Sequence, residues 1–411
     1  MAPRVDGDRL WRRLMAMAEI GPTANGGSNR QAISDEDAAG RSLLLDWATA
    51  AGCTSETDEI GNLFIRRPGR DNSLPPVLMG SHLDTQPTGG RFDGVFGVLG
   101  GLEVIESLND LQHETQAPIE LAVWTNEEGS RFQFSMMGSA VWADWLELDT
   151  ALAIVDVDGI SVADELERLG WSGERPASPT AYAAAFELHI EQGPILEAEQ
   201  LDVGVVTGVQ GFRWYTIRII GDPAHAGPTP MEVRHDPAAA ISRIIADVYA
   251  TAAEFGPWGR STFAQFHSEP VSPNTVPGLL TCSLDIRHPQ LADLDAMEAK
   301  MRASVAAAAR EFGVEAEITV DNDSPPVAFD SGCVGWVQQS VDALGLSNQK
   351  MFSGAGHDAC YVALHCPTSM IFVPCDGGVS HNEAESITAE QAEHGASVLL
   401  GAVMQAADSS L

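Results

Sequence analysis

The stretch Pro75-Pro76-Val77-Leu78-Met79-Gly80-Ser81-His82-Leu83-Asp84-Thr85 joins a buried-strand pattern to a polar turn. Val77–Met79 is a short apolar run behind two prolines, which reads as a strand covered on both faces. Helical apolar spacing follows from Val95 to about Leu108, and a second apolar strand from Ile119 to Thr125. Strand, helix, strand with intervening glycines is the order of an α/β sheet. At the end of the first strand His82 and Asp84 point to one face, because side chains alternate along extended chain. Asp84 is thereby placed to hold the second ring nitrogen of His82 and orient it as a metal ligand.

Outward from that stretch, Leu10, Leu14 and Met17 mark a helix within Val5–Ala18. Ser34 caps a second helix, which Gly52 ends. The texture changes after about Gly208. Arg213–Gly221 alternates, with Tyr215, Ile217 and Ile219 against Trp214, Thr216 and Arg218. Pro237–Phe255 is helical, Thr262–His267 and Leu279–Arg287 are strands, Leu291–Phe312 is an Ala-rich helix and Val314–Val320 a last strand. That is the β-α-β-β-α-β order of a ferredoxin-like α+β unit. The fold class expected is therefore α/β: a discontinuous mixed-sheet catalytic domain (1–210 and 326–411) interrupted by a ferredoxin-like insert (211–325).

The 411 residues suit two domains. Against 58 acidic side chains stand 23 basic ones, for a net charge of −35, which disfavours nucleic acid and anionic membranes as partners. No apolar run is long enough to span a bilayer. The N-terminus lacks the apolar core of a signal peptide, and the 6 cysteines form no CxxC pair. A cytoplasmic location with reduced thiols is the reading. Lys300 and Lys350 are the only lysines, both in polar surroundings, which argues against lysine-nucleophile chemistry.

Other strand ends carry similar residues. Asp93, in Gly89-Gly90-Arg91-Phe92-Asp93-Gly94, stands just before a helix, where a carboxylate is also a common N-cap. Glu127-Glu128 follow the Ile119 strand. Two adjacent carboxylates repel, and a cation relieves that repulsion if one binds metal and the other stays free as a general base. His189 ends another strand-like run, and His381 follows the apolar run Ser369–Val373. Any one of these is commonly structural. Together His82, Asp93, Glu128, His189 and His381 suffice for two metals sharing Asp93.

Ser81–Thr85, Arg91–Gly94, Asn126–Gly129, His189-Ile190-Glu191-Gln192-Gly193-Pro194, His225–Met231 and Ser380–Glu383, in that order, resemble the M20-type dinuclear metallohydrolases. Within them the chain looks like the N-carbamoyl-amino-acid amidohydrolase branch, with β-ureidopropionase and allantoate amidohydrolase as siblings. His189 discriminates, since peptidases of the superfamily usually carry an acid there. The resemblance implies that His82 and His189 bind one divalent metal, Glu128 and His381 the other, and that Asp93 bridges. Zinc is the first expectation, with manganese, cobalt or nickel also suited. It further implies Glu127 as general base, Asp84 as partner of His82, and Gln192 and His357 at the substrate site. From the insert it implies Asn274, Arg287 for the carboxylate of a small ureido acid, and His225 reaching into the partner's site in a homodimer. The insert is then a dimerisation and lid domain. Pro228 departs from the Ser or Thr usual after that histidine.

Three other readings compete, one of them a catalytically dead metal protein used for assembly, which the intact Glu127 beside Glu128 weakens. Gly354-Ala355-Gly356-His357-Asp358-Ala359 formally fits a dinucleotide loop, but Ser347–Ser353 before it does not read as a buried strand. A dinuclear aminopeptidase or N-deacylase of the same superfamily is the alternative enzyme.

Overall fold

The computed structural model describes residues 2–409. Met1, Ser410 and Leu411, which the sequence reading assigns to the core domain, lie outside the described residues. The chain divides into two compact units: residues up to Gly208 together with those from Ala328 on, and Val209–Val327 between them.

The first unit is built on a mixed sheet. Its strands before the insert are β1 (Thr54–Thr57), β2 (Leu63–Arg67), β3 (Val77–His82), β4 (Ile119–Trp124), β5 (Ala184–Ile190) and β6 (Val203–Val209). The insert holds β7 to β10, and β11 (Asn348–Ser353) and β12 (Thr368–Val373) follow it. The order is β1-β2-β4-β3-β5-β12-β6, with β11 also paired to β6. Central β4, β3, β5 and β12 run parallel, while β1, β2 and β6 join antiparallel. Every residue of β3, β4, β5 and β12 is buried, as parallel strands covered on both faces require.

Helices α1 (Gly7–Ala18), α2 (Asp35–Ala50) and α3 (Val95–Asp110) precede the insert. Ser34 accepts the Asp37 N–H at 3.1 Å, which is the cap expected. Helix α3 meets the sheet backbone closely: a Cβ on Gly97 would overlap the Leu188 carbonyl and stand 2.7 Å from the Ser81 Cβ. That approach seats the start of α3 beside the ends of β3 and β5. On the other face Trp124, Trp142, Phe64 and Leu78 form an apolar cluster. His82 and His189 fall in step with Leu78 and Ala185 of that cluster, so both turn to one side of the sheet.

The insert runs β7 (Gly211–Ile220), α4 (Pro237–Glu254), β8 (Arg260–Glu269), β9 (Leu279–His288), α5 (Leu291–Phe312) and β10 (Glu315–Ser324). Its antiparallel sheet has the order β10-β7-β9-β8, the ferredoxin-like arrangement. Tyr215, Ile217 and Ile219 on β7 pack with Ile244, Val248, Met297 and Met301 from the two helices.

Asn348–Ser353 is a strand but, as expected, not a buried one: it is half-buried and set outside the central parallel strands. The helix after it, Ala359–Val362, is four residues long, too short for the crossover helix of a dinucleotide-binding unit. Among the described residues no helix is long and apolar enough to cross a membrane.

Candidate metal centre

The parallel strands finish at one edge of the sheet, the side where open α/β sheets form their sites. β3 ends on His82 and β5 carries His189 next to its last residue. After β4 the chain passes through Asn126, at φ 55, into Glu127 and Glu128. After β12 a loop brings Ser380 and then His381, at φ 53. Such left-handed backbone is uncommon for residues with a Cβ and clusters where side chains must be aimed. Asp93 is not the cap of α3. That position is Gly94, at φ 67 with no side-chain cap, and a Cβ there would overlap the His82 ring. Glycine therefore lets the Asp93 loop close over His82.

The candidate ligand atoms converge on Asp93. Its Oδ1 lies 3.0 Å from His189 Nε2 and 3.7 Å from His82 Nε2. Its Oδ2 lies 3.7 Å from His381 Nε2, which is 3.3 Å from Glu128 Oε2. Glu127 turns the other way, with Oε2 3.5 Å from His82 Nε2. His82–Asp93–His189 and Asp93–Glu128–His381 each bring three ligand atoms within 4.8 Å of one another. A third such group is Glu187, His189 and His357.

The rings of His82 and His189 are each held through Nδ1. His82 Nδ1 is 2.9 Å from the Asp84 carbonyl oxygen, and His189 Nδ1 is 2.9 Å from that of Ile190. A carbonyl only accepts, so each Nδ1 carries the proton and donates it. This turns Nε2 of each ring toward Asp93, where it donates its proton when the ring is charged and where a divalent ion would take that proton's place. The donor set of imidazole and carboxylate fits a divalent first-row metal.

The charge balance points the same way. Burial, with Asp358, Glu128 and Asp93 adding repulsion against the pull of His82, pushes Glu127 well above the ordinary carboxylate range. Burial and then Asp93 push Glu128 to about 8. Burial and Asp93 likewise push Glu385 to about 7. Asp93 itself is held well below its ordinary value: burial opposes this, but hydrogen bonds from His189 and His82 outweigh it. Burial alone would lower His82, yet Glu127, Asp93 and Asp84 hold it well above its ordinary value. Carboxyl groups raised in this way keep their protons unless a cation takes the protons' place.

The structure places the remaining predicted residues individually. Asp84 needs a correction. Its main-chain carbonyl binds His82, whereas its carboxylate is 3.8 Å from that Nδ1 and instead accepts the Glu127 and Glu128 N–H groups at 3.2 Å each. The Asp84 side chain thus aims the two glutamates, because the turn after β3 spends the backbone oxygen on the imidazole. Gln192, at φ 57, donates to Asp93 Oδ2 at 2.8 Å. His357 is buried, its ring edge-on to His189 at 4.5 Å, with Nε2 2.9 Å from Ser353 Oγ.

In the insert, His225 and Asn274 come together: Thr275 pairs with His225, and Ala226 donates to the Asn274 carbonyl at 2.8 Å. Both side chains are exposed. Asp222 pairs with His235 at 2.7 Å, and His225 Nδ1 accepts the Gly227 N–H at 3.1 Å. Arg287 grips Asp285, two residues earlier on the same strand face, at 2.8–3.1 Å, and stacks over Phe212.

Sequence reasoning missed Gln86, which donates to Glu128 at 2.7 Å. It also missed Ser380 beside Asp93, and Glu385. The last lies four residues past His381, just beyond the motif that drew attention.

The family described as Peptidase family M20/M25/M40 matches residues 78–405, and the chain belongs to that family. Within it the chain falls in the hydantoinase/carbamoylase branch, alongside N-carbamoyl-L-amino-acid and allantoate amidohydrolases. It is 45% identical to an N-carbamoyl-L-amino-acid amidohydrolase of Rhizobium meliloti, over 98% of this chain and 97% of that protein. It is 32% identical to an allantoate amidohydrolase of Bacillus subtilis, over 93% of each chain. The crystal structure of a hydantoinase/carbamoylase-family amidase from Burkholderia multivorans superposes with a TM-score of 0.97 at 49% identity, covering 100% of both chains.

Proposed function

We propose that the protein hydrolyses the carbamoyl C–N bond of N-carbamoyl amino acids or related ureido acids, releasing ammonia, carbon dioxide and the amino acid. The observation that carries this is the divergence of Glu127 and Glu128, adjacent in sequence, toward His82 and His381 on either side of Asp93. One carboxylate is thereby available as a base beside a pair of ligand sets joined by the other groups. The family and full-length relatives set the substrate class.

His82 and His189 would hold one divalent ion and Glu128 and His381 the other, with Asp93 common to both. Zinc is our first assignment. When bound, the ions supply positive charge that acidifies water and polarises the ureido carbonyl. Glu127 takes a proton from the attacking water as its oxygen bonds to the carbamoyl carbon. It returns that proton to the departing nitrogen as the C–N bond breaks. Ammonia leaves, and the remaining carbamate decays to carbon dioxide and the amino acid. Gln192, held against Asp93, lines the carbamoyl group, and His357 backs the site through His189.

The insert supplies Asn274, Arg287 for the substrate carboxylate and, from the partner chain of a homodimer, His225 as donor to the oxyanion. Because Arg287 already holds Asp285, a substrate carboxylate must displace or share that partner. The six free cysteines fit the reducing cytoplasm in which we place the enzyme.

Three measurements test this reading. With ammonia release from a panel of ureido acids as the assay, Glu127→Gln should keep its metal but lose on the order of 10²–10⁴ in rate. Glu128→Gln should also bind less metal, and equal metal loss in both would reverse the assignment. Arg287→Ala should depress turnover of N-carbamoyl amino acids far more than that of uncharged ureas; unchanged discrimination removes Arg287 from the site. Finally, Glu127→Ala and His225→Ala chains, randomly mixed, should recover roughly a quarter of wild-type activity, since each mixed dimer contains one intact site. Demonstrated subunit exchange without recovery would refute action across the dimer.

A further inference from the structure

Glu385 is buried and touches both loops that deliver the shared carboxylate and the exposed histidine. Its Oε1 accepts the consecutive N–H groups of Phe92 and Asp93, at 3.1 and 3.0 Å. Its Oε2 is 3.3 Å from Ser380 Oγ, which in turn is 3.0 Å from Asp93 Oδ2 and accepts from Gln192 at 3.1 Å. The fit leaves no slack: a Cβ on Gly90 would overlap the Glu385 carboxylate.

We infer that Glu385 is the positioning residue of this centre, pinning the Asp93 loop to the His381 loop so that Asp93 is shared between the two ligand sets. The inference rests on the metal-centre reading above and gives a role to a residue that reading left without one. Without Glu385 two neighbouring N–H groups lose their acceptor, and the turn that aims Asp93 is free to rotate. His381 is the ligand most exposed to the consequence. Its side chain is 53% solvent-exposed, against 1% for His82 and His189, and its left-handed backbone is held by the loop that Glu385 anchors. The Glu128–His381 half should therefore suffer more than the His82–His189 half.

The roles of oxygen and charge can be separated. Glu385→Gln keeps an acceptor for both N–H groups and offers an amide donor to Ser380, so it should bind metal close to wild type. Glu385→Ala should weaken metal binding about 10–100-fold, the usual cost of losing a group that orients ligands. The loss should fall first on one of two equivalents.

The readout is metal content of the purified protein after equilibration in zinc buffers of graded free concentration, alongside its thermal melt. Wild-type binding by Glu385→Ala, or equally weak binding by the glutamine variant, overturns the inference. Failure of the wild type to bind zinc, manganese, cobalt or nickel would instead overturn the metal-centre reading. Should the alanine chain not fold, Glu385→Asp, one methylene too short to reach both loops, replaces it. Weakened binding then supports the inference and unchanged binding overturns it.

Discussion

Asp93 presents two carboxylate oxygens to three imidazoles, within 3.0 to 3.7 Å. Around it stand Glu127, Glu128 and Glu385, all largely withdrawn from water, and burying carboxylates without compensation is expensive. Much of the first unit can be understood as accommodation of that crowding. Parallel strands bring His82, His189 and the two loop ends to one edge, and Gly94 admits the His82 ring. Backbone N–H groups of residues 92, 93, 127 and 128 are spent on Glu385 and Asp84. Histidine protons and hydrogen bonds offset part of the charge. The rest is a demand for cations that the donor atoms are already arranged to meet.

The supports behind the site use the few basic residues the chain has. Arg30, 1% exposed, donates to the Leu83 carbonyl and to carbonyls at the end of α1, tying that helix to the turn after His82. Arg41 bridges Asp37 to the Gly61 carbonyl and reaches Thr125, just before the glutamate pair. Elsewhere Arg213 alone engages Asp295, Glu298 and Asp323. A chain with net charge −35 thus commits much of its positive charge to holding its own elements together. Arg287 follows this habit by pairing with Asp285.

The strand ends were legible because the signals are local. An apolar run followed by His82, or by Glu127-Glu128, marks both the strand and the edge where it stops. The insert was legible for the same reason, since the alternation of Tyr215, Ile217 and Ile219 against Trp214 and Arg218 survives in the burial of β7. Which atom does the work was less accessible. Asp84 was expected to orient His82 by its side chain and does so by its backbone, a choice set by the turn. Glu385 was invisible because its partners, Phe92 and Asp93, lie nearly three hundred residues away and are engaged through main-chain N–H groups, which leave no mark on residue type. Asn348–Ser353 did not read as a buried strand, and its half-exposed position is what removes the apolar pattern.

The central claim is that this carboxylate-rich centre works only with cations in it. Its most direct test is ammonia release from an N-carbamoyl amino acid by protein stripped with chelator and then titrated with zinc or manganese. Turnover should vanish on stripping and return with added metal, levelling off near two equivalents per chain. Undiminished turnover in a preparation shown to be metal-free would contradict the account.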